Sequence, residues 1–134
     1  MLMKCENYCR ASQRLAEALT EYSSSPSSTV LRDGVIQRFE FTFELAWKSL
    51  KAYMEDQGAT GELNFPKGVL KAAYAAGLIS DEAVWLDMLA SRNMTSHIYD
   101  DAQAAQVLSS IQCRYMEPFA TLARSYAALE PSGQ

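Results

Sequence analysis

The run Leu31-Arg32-Asp33-Gly34-Val35-Ile36-Gln37-Arg38-Phe39-Glu40-Phe41-Thr42-Phe43-Glu44-Leu45-Ala46-Trp47-Lys48 decides the fold. Its apolar side chains return every three or four residues, and the pattern continues through Leu50, Tyr53 and Met54. Ile36, Phe39, Phe43, Ala46, Trp47 and Leu50 therefore share one wide helical stripe, which must face a core. Ser28 or Thr29 offers an N-cap hydroxyl and Gly58 a C-terminal stop, which predicts a helix over residues 29–57. At about 1.5 Å per residue this helix is on the order of 40 Å long and forms the spine of the molecule. Arg38, Glu40 and Glu44 interrupt the aromatic run. By spacing alone they read as a solvated opposite face.

Working outward, residues 3–22 repeat Cys5, Tyr8, Cys9, Leu15, Ala16, Leu19 and Tyr22 at helical spacing. That run stops at Ser23-Ser24-Ser25-Pro26-Ser27-Ser28, a serine-rich break with a proline. Beyond the spine, a polar loop leads to Pro66, which opens a short helix over residues 67–76 because a first-turn N–H has no helical partner to lose. Gly77 ends it. Ser80 is expected to cap a fourth helix, with Asp81 and Glu82 set favourably against its dipole and Val84, Trp85, Met88 and Leu89 as its apolar face. Asp100 or Asp101 is expected to cap a fifth helix, whose stripe Ala104, Leu108, Ile111, Tyr115, Phe119 and Leu122 reaches about Tyr126. Pro118 predicts a bend there, since its ring removes a donor and crowds the preceding turn. Nothing alternates with period two for long. The reading is all-α: an antiparallel up-and-down bundle of four main helices and one short one. Residues 1–126 form a single domain and residues 127–134 a flexible C-terminal tail.

The 134 residues suffice for one core. No apolar run approaches the ~20 residues that span a bilayer, and the N-terminus lacks the order of a signal peptide. No membrane association and a cytoplasmic location are the expectation. A formal net charge of −4 argues against broad electrostatic capture of nucleic acid, although it leaves room for a local basic pocket or a basic partner. The three cysteines, Cys5, Cys9 and Cys113, form no CxxC pair. Cys5 and Cys9 read as small apolar core residues of a reducing compartment, so neither a metal site nor a cofactor is expected.

Chemistry concentrates in Ser91-Arg92-Asn93-Met94-Thr95-Ser96-His97-Ile98-Tyr99-Asp100, which holds the chain's single histidine. Continued as a helix, this stretch would set Asn93 with His97, and Arg92 with Ser96, on common faces, while Arg92 and His97 would border one groove. A histidine can move protons near neutral pH, and an arginine fork can hold phosphate and neutralise developing negative charge. Such a pair suffices in principle for metal-independent cleavage of RNA through its 2′-hydroxyl. One arginine and one histidine make a thin site, which two copies across a symmetric dimer would double. Taken on spacing alone, an arginine in a last helical turn is better explained by the helix dipole than by catalysis.

The segment 31–48, the Gly77-Leu78-Ile79 turn, Trp85-Leu86-Asp87-Met88-Leu89 and Arg92-Asn93-Met94-Thr95-Ser96-His97-Ile98-Tyr99 together resemble the nucleotidyltransferase substrate-binding protein family. That family is a branch of the HEPN superfamily (higher eukaryotes and prokaryotes nucleotide-binding). The resemblance covers nearly the whole chain and weakens only at the serine linker and the tail. It implies a HEPN-like antiparallel bundle, typically homodimeric, paired with a minimal nucleotidyltransferase subunit (MNT). It implies that Arg92 and His97 are the catalytic pair of a toxic endoribonuclease, and that Tyr99 is the tyrosine the partner silences by adding AMP. Asn93 would orient His97 or a phosphate. Other members bind without cutting. The alternative is therefore a non-catalytic nucleotide- or substrate-binding subunit, in which Arg92 and His97 contact phosphate, Ser96 lies beside them, and Glu40 or Glu44 shapes the pocket. A third reading is a helical dimerisation module whose polar motif only stabilises helix ends.

Overall fold

A computed structural model describes residues 1–61 and 63–129. In chain order its elements are α1 (Leu2–Ser24), α2 (Thr29–Asp56), α3 (Pro66–Ala75), α4 (Glu82–Thr95), α5 (Asp101–Ser110), a π-helical turn (Ile111–Tyr115) and α6 (Met116–Ala128). The π-helical turn joins α5 to α6 without a break, so the two behave as one long rod. Four long elements and the short α3 make the all-α bundle that the periodicity predicts. Among the described residues there is no strand.

Ends of helices follow local chemistry. Ser28 caps α2, its side chain accepting from the Leu31 N–H at 3.1 Å. Gly58 and Gly77 take φ of 90° and 78°, conformations open to glycine. In both places paired bonds close the helix: Gly58 N–H to Glu55 O with Ala59 N–H to Met54 O, and Gly77 N–H to Tyr74 O with Leu78 N–H to Ala73 O. Two expectations are corrected. Asp81, not Ser80, caps α4, accepting from the Val84 N–H at 3.2 Å. Ser23 and Ser24 remain inside α1, their hydroxyls bonding back to the carbonyls of Leu19 and Thr20.

Pro118 does leave a mark, but the irregularity lies about one turn earlier, in the π-helical turn. There the backbone widens ahead of a residue that lacks an N–H and crowds the Arg114 carbonyl. Successive steps of four residues drift by about 40° each in a regular helix. The wider turn absorbs that drift, and Ile111, Tyr115 and Phe119 all stay buried. α6 continues to Ala128, past the expected end near Tyr126. What remains of the expected tail, residues 130–134, lies outside the described residues.

The core is aromatic and centres on α2. Phe39 stacks on Tyr115 with ring centroids 5.5 Å apart, Trp85 meets Phe119 edge-on at 5.6 Å, and Tyr8 meets Tyr126 edge-on at 5.7 Å. Two fully buried hydroxyls on α2 are both hydrogen-bonded. Thr42 donates to the Arg38 or Ala11 carbonyl, and Ser49 bonds the Ala46 carbonyl and the Tyr126 hydroxyl. Of the cysteines, Cys5 is buried, Cys9 half-buried and Cys113 exposed. No described helix is long and apolar enough to cross a membrane.

Candidate functional site at the α4–α5 junction

α4 is locked from the side before it reaches the polar motif. Tyr115 donates to the Asp87 carbonyl at 3.2 Å, which leaves its oxygen to accept from the Ser91 hydroxyl at 2.7 Å. Arg114 pairs with Asp87 on the surface beside them. Arg92 then falls in the last turn, where a cation complements the negative end of the helix.

The Arg92 side chain is about two-thirds buried, with 31% of its surface exposed. Its Nη2 lies 3.5 Å from Glu44 Oε1 on α2. The other Glu44 oxygen accepts from Trp47 Nε1 at 3.0 Å and lies 3.8 Å from Lys48 Nζ. Glu40, one turn earlier on α2, accepts from the Thr95 hydroxyl at 2.6 Å. That hydroxyl also lies 2.7 Å from the Arg92 carbonyl. Its single proton favours the carboxylate, the stronger acceptor. Buried Arg92 Nε has no partner among the described residues. Gln37, Arg38, Glu40, Phe41, Glu44 and Arg92 line an open groove of about 500 Å³. Phe41 is 60% exposed on its wall.

The helix does not carry the rest of the motif. α4 ends at Thr95, Ser96 is the C-cap, and the His97 N–H bonds the Met94 carbonyl at 2.8 Å. What stops it is the start of α5. The Asp100 side chain accepts from the Gln103 N–H at 2.8 Å, and the Gln103 side chain accepts in return from the Tyr99 N–H at 2.8 Å, a reciprocal arrangement akin to a capping box. Arg32 on α2 braces this start through Asp101 at 3.0 Å, and its neighbour Asp33 holds the same guanidinium at 3.0 Å. Ile98 packs against the core while His97 and Tyr99, on either side of it, are exposed. The Tyr99 hydroxyl lies 3.4 Å from His97 Nδ1, a long hydrogen bond, and Tyr99 is 82% exposed.

The site residues therefore fall into two groups. Arg92, Glu44 and, through Thr95, Glu40 form a half-buried cluster between α4 and α2. His97 and Tyr99 form an exposed pair on the connecting segment. Among the described residues no hydrogen bond or ion pair joins Arg92 to His97. α4 ends before His97, so the helical face expected to carry Asn93 with His97 does not extend to the histidine, while Ser96, one turn after Arg92, is the C-cap and keeps right-handed helical dihedrals. Asn93 and Ser96 are exposed, linked by a bond from the Ser96 hydroxyl to the Asn93 carbonyl at 3.3 Å. Thr95, Arg38 and Phe41 escape a reading by spacing. Phe41 left a trace, as an aromatic out of phase with the 36–39–43–46–50 stripe.

Fold and site together define an antiparallel helical bundle that presents a polar arginine–histidine–tyrosine segment at the junction of two helices. Residues 3–128 match the family described as nucleotidyltransferase substrate binding protein like, and the chain belongs to that family. It is 37% identical over 82 residues to a protein of Haemophilus influenzae named probable ribonuclease HepT. That match covers 58% of this chain and 56% of the relative, so it spans little more than half of that protein. A Haemophilus influenzae structure described as the fold of a substrate binding domain of a nucleotidyltransferase superposes with a TM-score of 0.75 at 28% identity, covering 92% of this chain and 98% of that one. A Thermus thermophilus crystal structure gives 0.67 at 34% identity, over 88% and 96%.

Proposed function

We propose that this chain is the HEPN subunit of a two-component system with a minimal nucleotidyltransferase, a toxin that cleaves RNA without a metal ion and is silenced by AMP on Tyr99. The observation that carries this reading is the exposed Tyr99 hydroxyl 3.4 Å from the single imidazole of the chain. A modification at that oxygen changes the charge and access of His97 directly.

In the cleavage step, the RNA 2′-oxygen bonds to the adjacent phosphorus and its proton passes to His97. The bond to the 5′-oxygen breaks and that oxygen takes a proton from an imidazolium, leaving a 2′,3′-cyclic phosphate and a 5′-hydroxyl. Arg92 offsets charge on the phosphoryl oxygens, with Glu44 holding its guanidinium in place. No hydrogen bond or ion pair joins Arg92 to His97 among the described residues, which favours a homodimer in which two copies supply two of each. In the silencing step the Tyr99 oxygen bonds to the α-phosphorus of ATP held by the partner, pyrophosphate leaves, and the phenol proton is released. The product places a negative phosphodiester and a bulky base beside His97.

The test is RNA integrity when the protein is expressed without its partner. Wild type should degrade RNA and His97→Ala should lose about 10²- to 10⁴-fold of that rate, the usual contribution of general acid–base catalysis. Equal, intact RNA in both would end the ribonuclease reading.

The groove beside Arg92 favours a second reading, a non-catalytic subunit that binds a nucleotide. Two guanidinium groups, Arg38 and Arg92, and the exposed Phe41 ring share a groove of about 500 Å³. Under that reading Arg92→Ala abolishes nucleotide affinity while wild type leaves RNA whole.

A further inference from the structure

A second groove lies further along α2 and meets the site above only where Trp47 and Lys48 contact Glu44. Lys4 of α1 and Trp47, Lys48, Lys51, Ala52 and Glu55 of α2 line a depression of about 390 Å³. In a chain of net charge −4, three ammonium groups meet one carboxylate there. Lys4 and Lys51 form no ion pair among the described residues. Lys48 lies 5.9 Å over the Trp47 ring and 3.8 Å from Glu44, with about half its side chain exposed. A groove lined this way suits an anion with a repeating negative charge.

The groove lies next to the Arg92 cluster, and the Glu44 carboxylate stands between them. Glu44 Oε1 faces Arg92, while Glu44 Oε2 takes the Trp47 indole and lies near Lys48. Residues 37, 41, 44, 48, 51 and 55 follow each other at steps of four and three, a single stripe along one face of α2. From Glu44 to Lys51 the helix rises about 10 Å, so Lys48 and Lys51 lie on the same face of α2 as Glu44, one to two turns further along.

We propose that Lys4, Lys48 and Lys51 form a phosphate track that holds single-stranded RNA as it leaves the Arg92–His97 site. The ammonium groups take backbone phosphates, which gives affinity without base specificity. This deepens the ribonuclease reading by placing its substrate, and the two can fail separately.

The experiment is fluorescence anisotropy of a labelled single-stranded RNA on the full chain carrying His97→Ala, which keeps the RNA whole. It compares that protein with the same chain bearing Lys4→Gln, Lys48→Gln and Lys51→Gln, and with a control bearing Lys67→Gln and Lys71→Gln on α3. The triple substitution should weaken binding by about tenfold or more at low salt. It should also reduce the slope of log affinity against log salt by about two, the release expected for three phosphate contacts on a single strand. The control should change neither, and thermal melts should show all three folded. Unchanged affinity and slope in the triple variant, an equal loss in the control, or no RNA binding at all overturns the track. So does a triple variant that binds RNA normally but loses the nucleotidyltransferase partner, which would make the groove a protein interface. Wild-type protein that cuts no RNA, with the track's signature intact, removes the ribonuclease reading and leaves the track standing.

Discussion

The buried tyrosines and Tyr99 put one side chain to opposite uses. Tyr8 donates to the Phe119 carbonyl at 2.7 Å, Tyr126 bonds Ser49 at 2.7 Å, and Tyr115 joins Ser91 and the Asp87 carbonyl. Each ring packs in the aromatic core, and burial pushes the Tyr8 and Tyr126 phenols well above their ordinary range. These hydroxyls are consumed by structure. Tyr99 has no core to serve: it sits on the short connection between α4 and α5, open to solvent, with His97 as its side-chain neighbour. Packing thus separates phenols that hold the bundle together from the Tyr99 phenol, which is left open to solvent.

The contrast should break most visibly in stability. Phe119 is fully buried against Tyr8, Phe39 and Trp85. Phe119→Ala should cost about 3–5 kcal/mol in urea unfolding, from lost transfer energy plus the cavity left behind. Next comes Tyr8→Phe, which removes the buried hydrogen bond to the Phe119 carbonyl and should cost about 1 kcal/mol.

Tyr8→Phe also sharpens the comparison by pH. In the unfolded chain tyrosines ionise near pH 10, whereas Tyr8 and Tyr126 in the fold hold their protons to higher pH. Above about pH 10 the unfolded state therefore binds fewer protons than the native one, and stability falls as pH rises toward the raised folded values. Urea midpoints measured from pH 8 to 11 should show that fall, and it should be shallower in Tyr8→Phe. The smallest effect belongs to Tyr99→Phe. It should shift stability by less than about 0.5 kcal/mol, as for a surface substitution. A Tyr99→Phe protein as destabilised as Tyr8→Phe would erase the distinction.

Most of the bundle was legible because helices announce themselves through apolar spacing and local end chemistry. The α2 stripe, the Ser28 cap and the Gly58 and Gly77 stops are each decided within a few residues. The site was legible in composition but not in geometry. Arg92, His97 and Tyr99 stand out by residue type, yet where α4 ends depends on a contest between its own propagation and the Asp100–Gln103 exchange that begins α5. The Asp-x-x-Gln signal of residues 100–103 was present in the sequence, and its consequence for His97 was not drawn from spacing. The pairings of Arg92 with Glu44, Thr95 with Glu40 and Arg32 with Asp101 link residues 48, 55 and 69 apart. Packing of α2 against α4 and α5 makes those contacts, and no local pattern encodes them. The lysine groove is of the same kind, since Lys4 joins Lys48 and Lys51 only when α1 lies along α2.

The central claim is that Tyr99 is the reactive phenol and that its state governs His97. The most direct measurement incubates wild type and Tyr99→Phe with the partner nucleotidyltransferase and ATP, maps AMP by peptide mass spectrometry, and assays RNA cleavage on the same samples. The account predicts one AMP on the wild-type peptide containing Tyr99, with cleavage lost, and an unmodified Tyr99→Phe protein that still cuts. AMP on another residue, or a Tyr99-modified protein that cleaves RNA undiminished, would contradict it.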